Sequence, residues 1–227
     1  MAATTTPSTL RVDNPYTLEV ACEVPLAGPA EVDAVLDASR AAARDFRRVA
    51  VGERVALCER ACEAMLADKE AIARDITRTM GKPLSQARGE LDGMLGRARH
   101  MMAIAGECLA DIELPAKDNF VRRIRREPLG VIFDLPAWNY PLLTAVNALF
   151  PAVLAGNAVV VKHSPRTPLT GPAFARAFAK AGAPLGLVQS LDCDHPTSER
   201  IVGDPRVDQV LFTGSVFGGH CIQRAAS

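Results

Sequence analysis

Several signals that assign a chain to a class at sight are missing from these 227 residues. There is no net charge, 26 Lys and Arg standing against 26 Asp and Glu, so no global field draws the chain to nucleic acid or to anionic lipid. The start, Met1 to Thr9, has neither a basic segment nor an apolar core. It reads as a flexible tail and not as a secretory signal. None of the six cysteines, at 22, 58, 62, 108, 193 and 221, forms a Cys-x-x-Cys pair. Cys58 and Cys62 lie four apart in a helical pattern with no histidine nearby, so no metal site is expected. Without a secretory start, disulfides are not expected either, and a reducing cytoplasm is the default.

One charge-free run, Pro141 to Val161, is long enough to span a bilayer. Pro151 and Gly156 break it, Asn147 and Asn157 sit inside it, and it ends in Val159-Val160-Val161. That composition predicts a buried helix followed by a buried strand. What is present is globular: 48% hydrophobic and 23% charged residues, in a length that makes one large domain or parts of two.

The first half reads as helical. Val32, Val35, Leu36, Ala42 and Phe46 recur at helical spacing between Glu31 and Val49. A second helix is predicted from about Glu53 to Met80, stopping at Gly81 with Pro83 beyond. A third covers Ser85 to Ala110 and carries glycines at 89, 93, 96 and 106, which weaken it or admit another backbone. Around 119–128 the pattern changes: Phe120, Val121 and Ile124 interleave with Arg122, Arg123, Arg125 and Arg126. No aromatic stacking platforms surround the arginines, so a solvated strand or hairpin is expected there and not a nucleic-acid surface.

From Leu129 onward strand and helix alternate. Strands are predicted at 130–135, 158–161, 187–191 and 207–212, and helices at 142–154, 169–180 and 197–202. Short apolar strands separated by helices indicate an α/β chain with a parallel sheet covered on both faces. Ligands of such sheets bind at the carboxyl ends of the strands.

The residues at those ends are chemically distinctive. Pro136-Ala137-Trp138-Asn139-Tyr140-Pro141 follows the first strand. The side-chain amide of Asn139, held in a proline-framed turn, either caps the next helix or turn or offers donors to an oxyanion. After the second strand come Lys162-His163-Ser164-Pro165. Lys162 either snorkels from the strand end or reaches a ribose hydroxyl or phosphate. His163 reads as a surface or supporting histidine more than as a base. After the fourth strand, Phe212-Thr213-Gly214-Ser215 precedes Gly218 and Gly219, where a phosphate can approach backbone N–H groups at a helix start. The spacing is neither Gly-x-Gly-x-x-Gly, nor a P-loop, nor Gly-x-Ser-x-Gly.

Taken in order, Trp138-Asn139-Tyr140-Pro141, the run Leu154 to Lys162, Thr167-Pro168-Leu169 and Phe212-Thr213-Gly214-Ser215 resemble the aldehyde dehydrogenase superfamily. Met80-Gly81-Lys82-Pro83 is similar to its helical region, and the resemblance covers residues 10–227. It implies N-terminal helices plus an incomplete parallel Rossmann-like sheet, the cofactor-binding part of that fold, truncated before the catalytic domain. In the family a cysteine thiolate attacks an aldehyde, hydride passes to a nicotinamide, and a glutamate-activated water hydrolyses the thioester. The resemblance gives Asn139 the oxyanion hole, Lys162 the adenosine ribose, and Gly214 and Ser215 the pyrophosphate. Trp138, Asn139 and the stretch Lys162, His163, Ser164 and Pro165 would lie along NAD or NADP. Family members are homo-oligomers.

Three departures stand out. NAD-preferring relatives carry a glutamate where this chain has Pro165, followed by Arg166; the change removes repulsion from a 2′-phosphate and Arg166 adds attraction, so tolerance of NADP is expected. The Lys162–Pro165 stretch, Asp204-Pro205-Arg206 and Gly214-Ser215-Val216 lean towards the succinate-semialdehyde dehydrogenase branch. The family's Glu-Leu-Gly-Gly segment and its nucleophilic cysteine have no counterparts, and Cys193, on a loop among acids, is no substitute. The expectation is a fragment of a full enzyme, inactive by itself, with an exposed sheet edge. The alternative is an inactive truncated product serving as a nucleotide-binding or subunit-interaction protein.

Overall fold

A computed structural model describes residues 8–226. Most of the nine-residue tail lies outside the described residues, but its last member, Thr9, already belongs to a strand. Two strands, β1 (Thr9–Asp13) and β2 (Val20–Pro25), form an antiparallel hairpin. The sequence reading had no element there.

Four helices follow: α1 (Pro29–Phe46), α2 (Val51–Ala67), α3 (Lys69–Met80) and α4 (Leu84–Cys108). The helix expected over 53–80 is thus two helices meeting at Asp68. An aspartate competes with the backbone for hydrogen bonds and is a poor helix interior residue; here its carboxylate turns aside to Lys180 at 2.7 Å. α4 runs unbroken through its four glycines. Only at Gly93 would an added Cβ meet a neighbour, Leu143 at 3.8 Å.

The arginine-rich segment pairs as a short hairpin, β3 (Ile112–Glu113) with β4 (Arg123–Ile124). Its arginines are occupied locally. Arg122 and Arg126 donate to the carbonyls of Pro115 and Ala110, while Arg123 and Arg125 face Asp111.

The remainder alternates β5 (Val131–Leu135), α5 (Pro141–Leu154), β6 (Ala158–Val161), α6 (Thr170–Lys180), β7 (Val188–Ser190), α7 (His195–Val202), β8 (Gln209–Phe212) and α8 (Val216–Ala225). The four strands are parallel in the order β7-β6-β5-β8. All nine residues of β5 and β6 are buried, as expected for strands covered on both faces. Phe133, Val160 and Gln189 lie on one face, where Gln189 Nε2 donates to Val35 O of α1. Asp134, Val161 and Ser190 lie on the other, so close beneath α6 that a Cβ on Gly171 would come within 2.6 Å of Ser190 Oγ. α2, α3 and α4 cover α5 and α6 in turn, and one continuous core joins helices and sheet.

The charge-free run is a buried helix and a buried strand, and among the described residues no helix is long and apolar enough to cross a membrane. Pro151 lies inside α5, within the helix expected over 142–154. The nine buried residues of α5 outweigh one missing N–H, and the helix ends at Gly156 (φ +94°). On the opposite side of the sheet β8 is an edge with Gln209 and Phe212 exposed, and α8 has no buried residue.

Candidate cofactor site

A cavity of about 470 Å³ opens where β5, β6 and β8 end. Leu135 to Asn139, Lys162 to Pro165 and Phe212 to Ser215 form its walls, joined by His195, Ser198 and Ile222. Every residue singled out from the sequence lies here: Trp138, Asn139, Lys162, His163, Ser164, Pro165, Gly214 and Ser215. His195, Ser198 and Ile222 were missed, because neither a helix-start histidine nor an ordinary serine and isoleucine carries a motif.

Lys162 directly follows the four buried residues of β6 and is itself only 6% exposed. Among the described residues no acceptor lies within hydrogen-bonding reach of its ammonium. Burial lowers its pKa, opposed by Cys193 and the nearby Asp192 and Asp194. Burial likewise raises Asp192 to about 6. The stem of Lys162 is buried while its ammonium, on the cavity wall, has no protein acceptor, so a ligand in the cavity can complete it.

Asn139 is exposed. Its Oδ1 accepts the adjacent Tyr140 N–H at 3.1 Å, which leaves the Nδ2 donors uncommitted. It does not cap α5, whose N-cap is Tyr140 and which has no side-chain cap of its own. Trp138 is half exposed beside it.

His163 is buried, not on the surface. Its Nε2 bonds Pro141 O at 3.1 Å, and Nδ1 accepts from Ser164 N at 3.0 Å and meets Thr167 Oγ1 at 2.9 Å. A carbonyl only accepts, so the proton sits on Nε2. Burial pushes the ring's pKa down to about 4. With both nitrogens engaged, His163 ties the Lys162 loop to the start of α5 as a support.

Ser215 caps α8, its Oγ accepting from Gly218 N at 3.1 Å. Gly214 and Gly218 lie against a side chain whose position the sequence did not reveal. A Cβ at either would come 2.4 or 2.8 Å from Cζ of Phe212, whose ring lies against the loop.

Arg166 does not stand free beside Pro165. It lines a second cavity of about 500 Å³ that shares Trp138, Ser164 and Pro165 with the first. Its Nη1 bonds Asp13 Oδ1 of β1 at 2.7 Å, and that hydrogen bond lowers the pKa of Asp13. Cys193 is buried with Sγ 3.3 Å from Ser198 Oγ. Its pKa is raised by burial first, with the neighbouring acids a lesser cause.

The open parallel sheet, with a buried lysine, a donor amide and a capped helix start at its carboxyl edge, defines an α/β protein with a candidate ligand site where such sheets bind ligands. Comparison with known proteins makes this specific. The aldehyde dehydrogenase family model matches residues 2–227, and the chain belongs to that family. Relatives include the 3,6-anhydro-alpha-L-galactose dehydrogenase of Streptomyces coelicolor, 36% identical over 93% of this chain and 43% of its own length. The succinate semialdehyde dehydrogenase [NAD(P)+] Sad of Escherichia coli is 32% identical over 96% of the chain and 47% of its own length. A solved succinic semialdehyde dehydrogenase from Streptococcus pyogenes, in complex with NADP+, superposes with a TM-score of 0.89 at 26% identity, over 96% of this chain and 48% of that one. The chain therefore spans about half the length of the relatives it matches.

Proposed function

We propose that residues 10–227 are the cofactor-binding part of an NAD(P)-dependent dehydrogenase that oxidises an aldehyde to a carboxylic acid. The observation that carries this reading is Lys162, buried at the strand ends on the cavity wall with no protein acceptor for its ammonium among the described residues. A ribose hydroxyl or a phosphate supplies the acceptor it lacks. The site fits a dinucleotide in other respects too. The cavity has the volume of a small-molecule site, and its far wall is a serine-capped helix start, whose first amides favour anions.

When bound, the nicotinamide supplies hydride acceptance; the chain's own residues bind and orient. Ser215 and Gly214 meet the pyrophosphate, with Ser164 and Pro165 alongside. His163 holds the Lys162 loop against α5. Asn139 presents Nδ2 donors to the oxyanion that develops on the substrate, a role whose removal costs about 10²–10³-fold in rate elsewhere. Neither Cys193 nor Cys221 is assigned as nucleophile; burial keeps the Cys193 thiol protonated. Succinate semialdehyde is the substrate we favour, supported by relatives of that activity from a bacterium and a plant. Six unpaired cysteines accord with a reducing cytoplasm.

The test is equilibrium titration with NAD and with NADP, following the fluorescence of Trp138, the one tryptophan in the sequence. Saturable quenching by both nucleotides, weakened at least tenfold in Lys162→Met, is expected. Folded protein with no response to either nucleotide defeats the proposal.

A further inference from the structure

Helix α5 carries the site's turn at its start, yet nothing local satisfies its first amides. Pro141 has no N–H, and the first helical bond runs from Thr144 N to Tyr140 O. That leaves the amides of Leu142 and Leu143. Both donate to one oxygen from another helix: Glu90 Oε1 of α4, at 2.8 and 3.2 Å. The other oxygen, Oε2, holds the ammonium of Lys82 in the short link between α3 and α4. The two side chains are 7% and 1% exposed, and Lys82 Nζ also lies 3.9 Å from the ring centroid of Tyr140.

The turn that points Trp138 and Asn139 into the cavity is thus gripped from behind at successive points. Lys82 holds the ring of Tyr140, and Glu90 holds Leu142 and Leu143. Thr144 Oγ1 donates to Ala137 O and Tyr140 O, both at 3.0 Å. By contrast, the side chain of Asn139 bonds only its neighbouring amide. Its direction is set by the backbone to which it is attached. A carboxylate at a helix N-terminus is favoured by the dipole and forms charge-assisted bonds. Such a bond keeps its geometry only while the charge has its counterion, because the pair is sealed from water.

We infer that Lys82 and Glu90 are a positioning pair that fixes the Trp138–Asn139 turn, and through it the donor direction of Asn139. The role of Asn139 rests on the function proposed above; the grip on the turn does not. Nothing in the Lys82 or Glu90 side chain lines the cavity, so their effect on the site is transmitted through Tyr140 and the start of α5.

The experiment separates positioning from simple stability by rescue. Glu90→Gln keeps a carbonyl for the two amides but turns an N–H₂ group towards the Lys82 ammonium, donor against donor. Lys82→Met removes the ammonium, and in the double variant E90Q/K82M the carbonyl again caps α5 without conflict. Without nucleotide, the emission maximum of Trp138 should shift in E90Q and return in the double variant. In the complete enzyme, kcat should fall at least tenfold in E90Q with the aldehyde KM within about twofold, and recover at least partly in the double variant. If E90Q does not fold, K82M alone should show the same spectral shift, since the buried Glu90 carboxylate loses its counterion. Variants that lose only thermal stability, with Trp138 emission and kcat unchanged at temperatures where they are folded, overturn the inference. So does a double variant no better than E90Q. Should the parent show no nucleotide response, the proposed function fails while the Trp138 emission still decides this inference.

Discussion

Replacing Asp134 by asparagine should make the protein relatively more stable as the pH rises. Asp134 lies in the middle of the sheet, between Val161 of β6 and Leu211 of β8, and is 2% exposed. Its Oδ2 has no hydrogen-bond partner. Burial without a counterion raises its pKa well above the ordinary 3.8, so the folded chain keeps the proton. The unfolded chain releases it above 3.8. An acid with a raised folded-state pKa contributes fully below its unfolded value of 3.8 and loses stability as the pH rises from there towards the folded-state pKa. The slope is about 1.4 kcal/mol per pH unit. Asparagine has the same shape and no proton to lose. It carries a pH-independent penalty of roughly 1–3 kcal/mol for its unmet donors. The difference in unfolding free energy between variant and parent should therefore move steadily in favour of asparagine as the pH rises from about 4 towards neutrality, for as long as the folded chain keeps the proton. Urea unfolding of both proteins at half-unit pH steps measures it. Background titrations cancel in the difference, Asp192 included. A difference that stays flat with pH means that Asp134 ionises in the folded protein, and the argument from burial is wrong.

Other perturbations follow from the same contacts. Asp13→Asn frees the guanidinium of Arg166, so NADP affinity should rise about two- to fivefold relative to NAD, as suits an exposed pair. The gain should disappear in D13N/R166A and shrink in high salt; an unchanged NADP-to-NAD ratio by fluorescence titration counts against any part for Arg166. His163→Ala removes a neutral ring whose folded-state pKa is about 4 against an ordinary 6.5. That ring's stabilisation is present above 6.5 and lost as the pH falls towards 4. The destabilisation caused by the substitution should thus be about 2 kcal/mol smaller at pH 5 than at pH 7.5, read from urea midpoints; equal values refute the assignment. Gly186→Ala places a Cβ 2.4 Å from Ala38 O at φ +86°. It should cost at least about 2 kcal/mol in thermal unfolding, and a near-neutral change would show that α1 and β7 are not docked as described.

The sequence was most informative where local chemistry and burial agree. β5 and β6 are apolar runs with Gly130 and Gly156 before them, so both strands, and the site residues that follow them, could be located from pattern alone. It was least informative where a charge serves the interior. Lys82 and Glu90 look like ordinary solvated residues at a helix start, and only the fold reveals that they face each other and α5. Arg166 and Asp13 are 153 positions apart, a distance over which no spacing rule operates. The β1–β2 hairpin went unread because its strands are short: in β1 only Leu10 and Val12 turn inward, too few for alternation to stand out. Asp68 divided a helix that periodicity had joined, since the apolar stripe continues through the break while the backbone does not. For Asn139, residue types could not choose between cap and donor; in the fold an acceptor on another helix, Glu90, takes the first amides of α5 instead.

The strand order also sets the sequence of events when the protein is made. β5 is the first strand of the sheet to emerge, and its immediate successors β6 and β7 add on one side only. β8 must cross back past both of them, three strand spacings or roughly 14 Å, to reach the vacant side of β5. Until it does, the unpaired flank of β5 is an open template for a neighbouring chain, and the groove beside Lys162 has one wall missing. During synthesis, the candidate site and the cover over β5 are completed by the same late step.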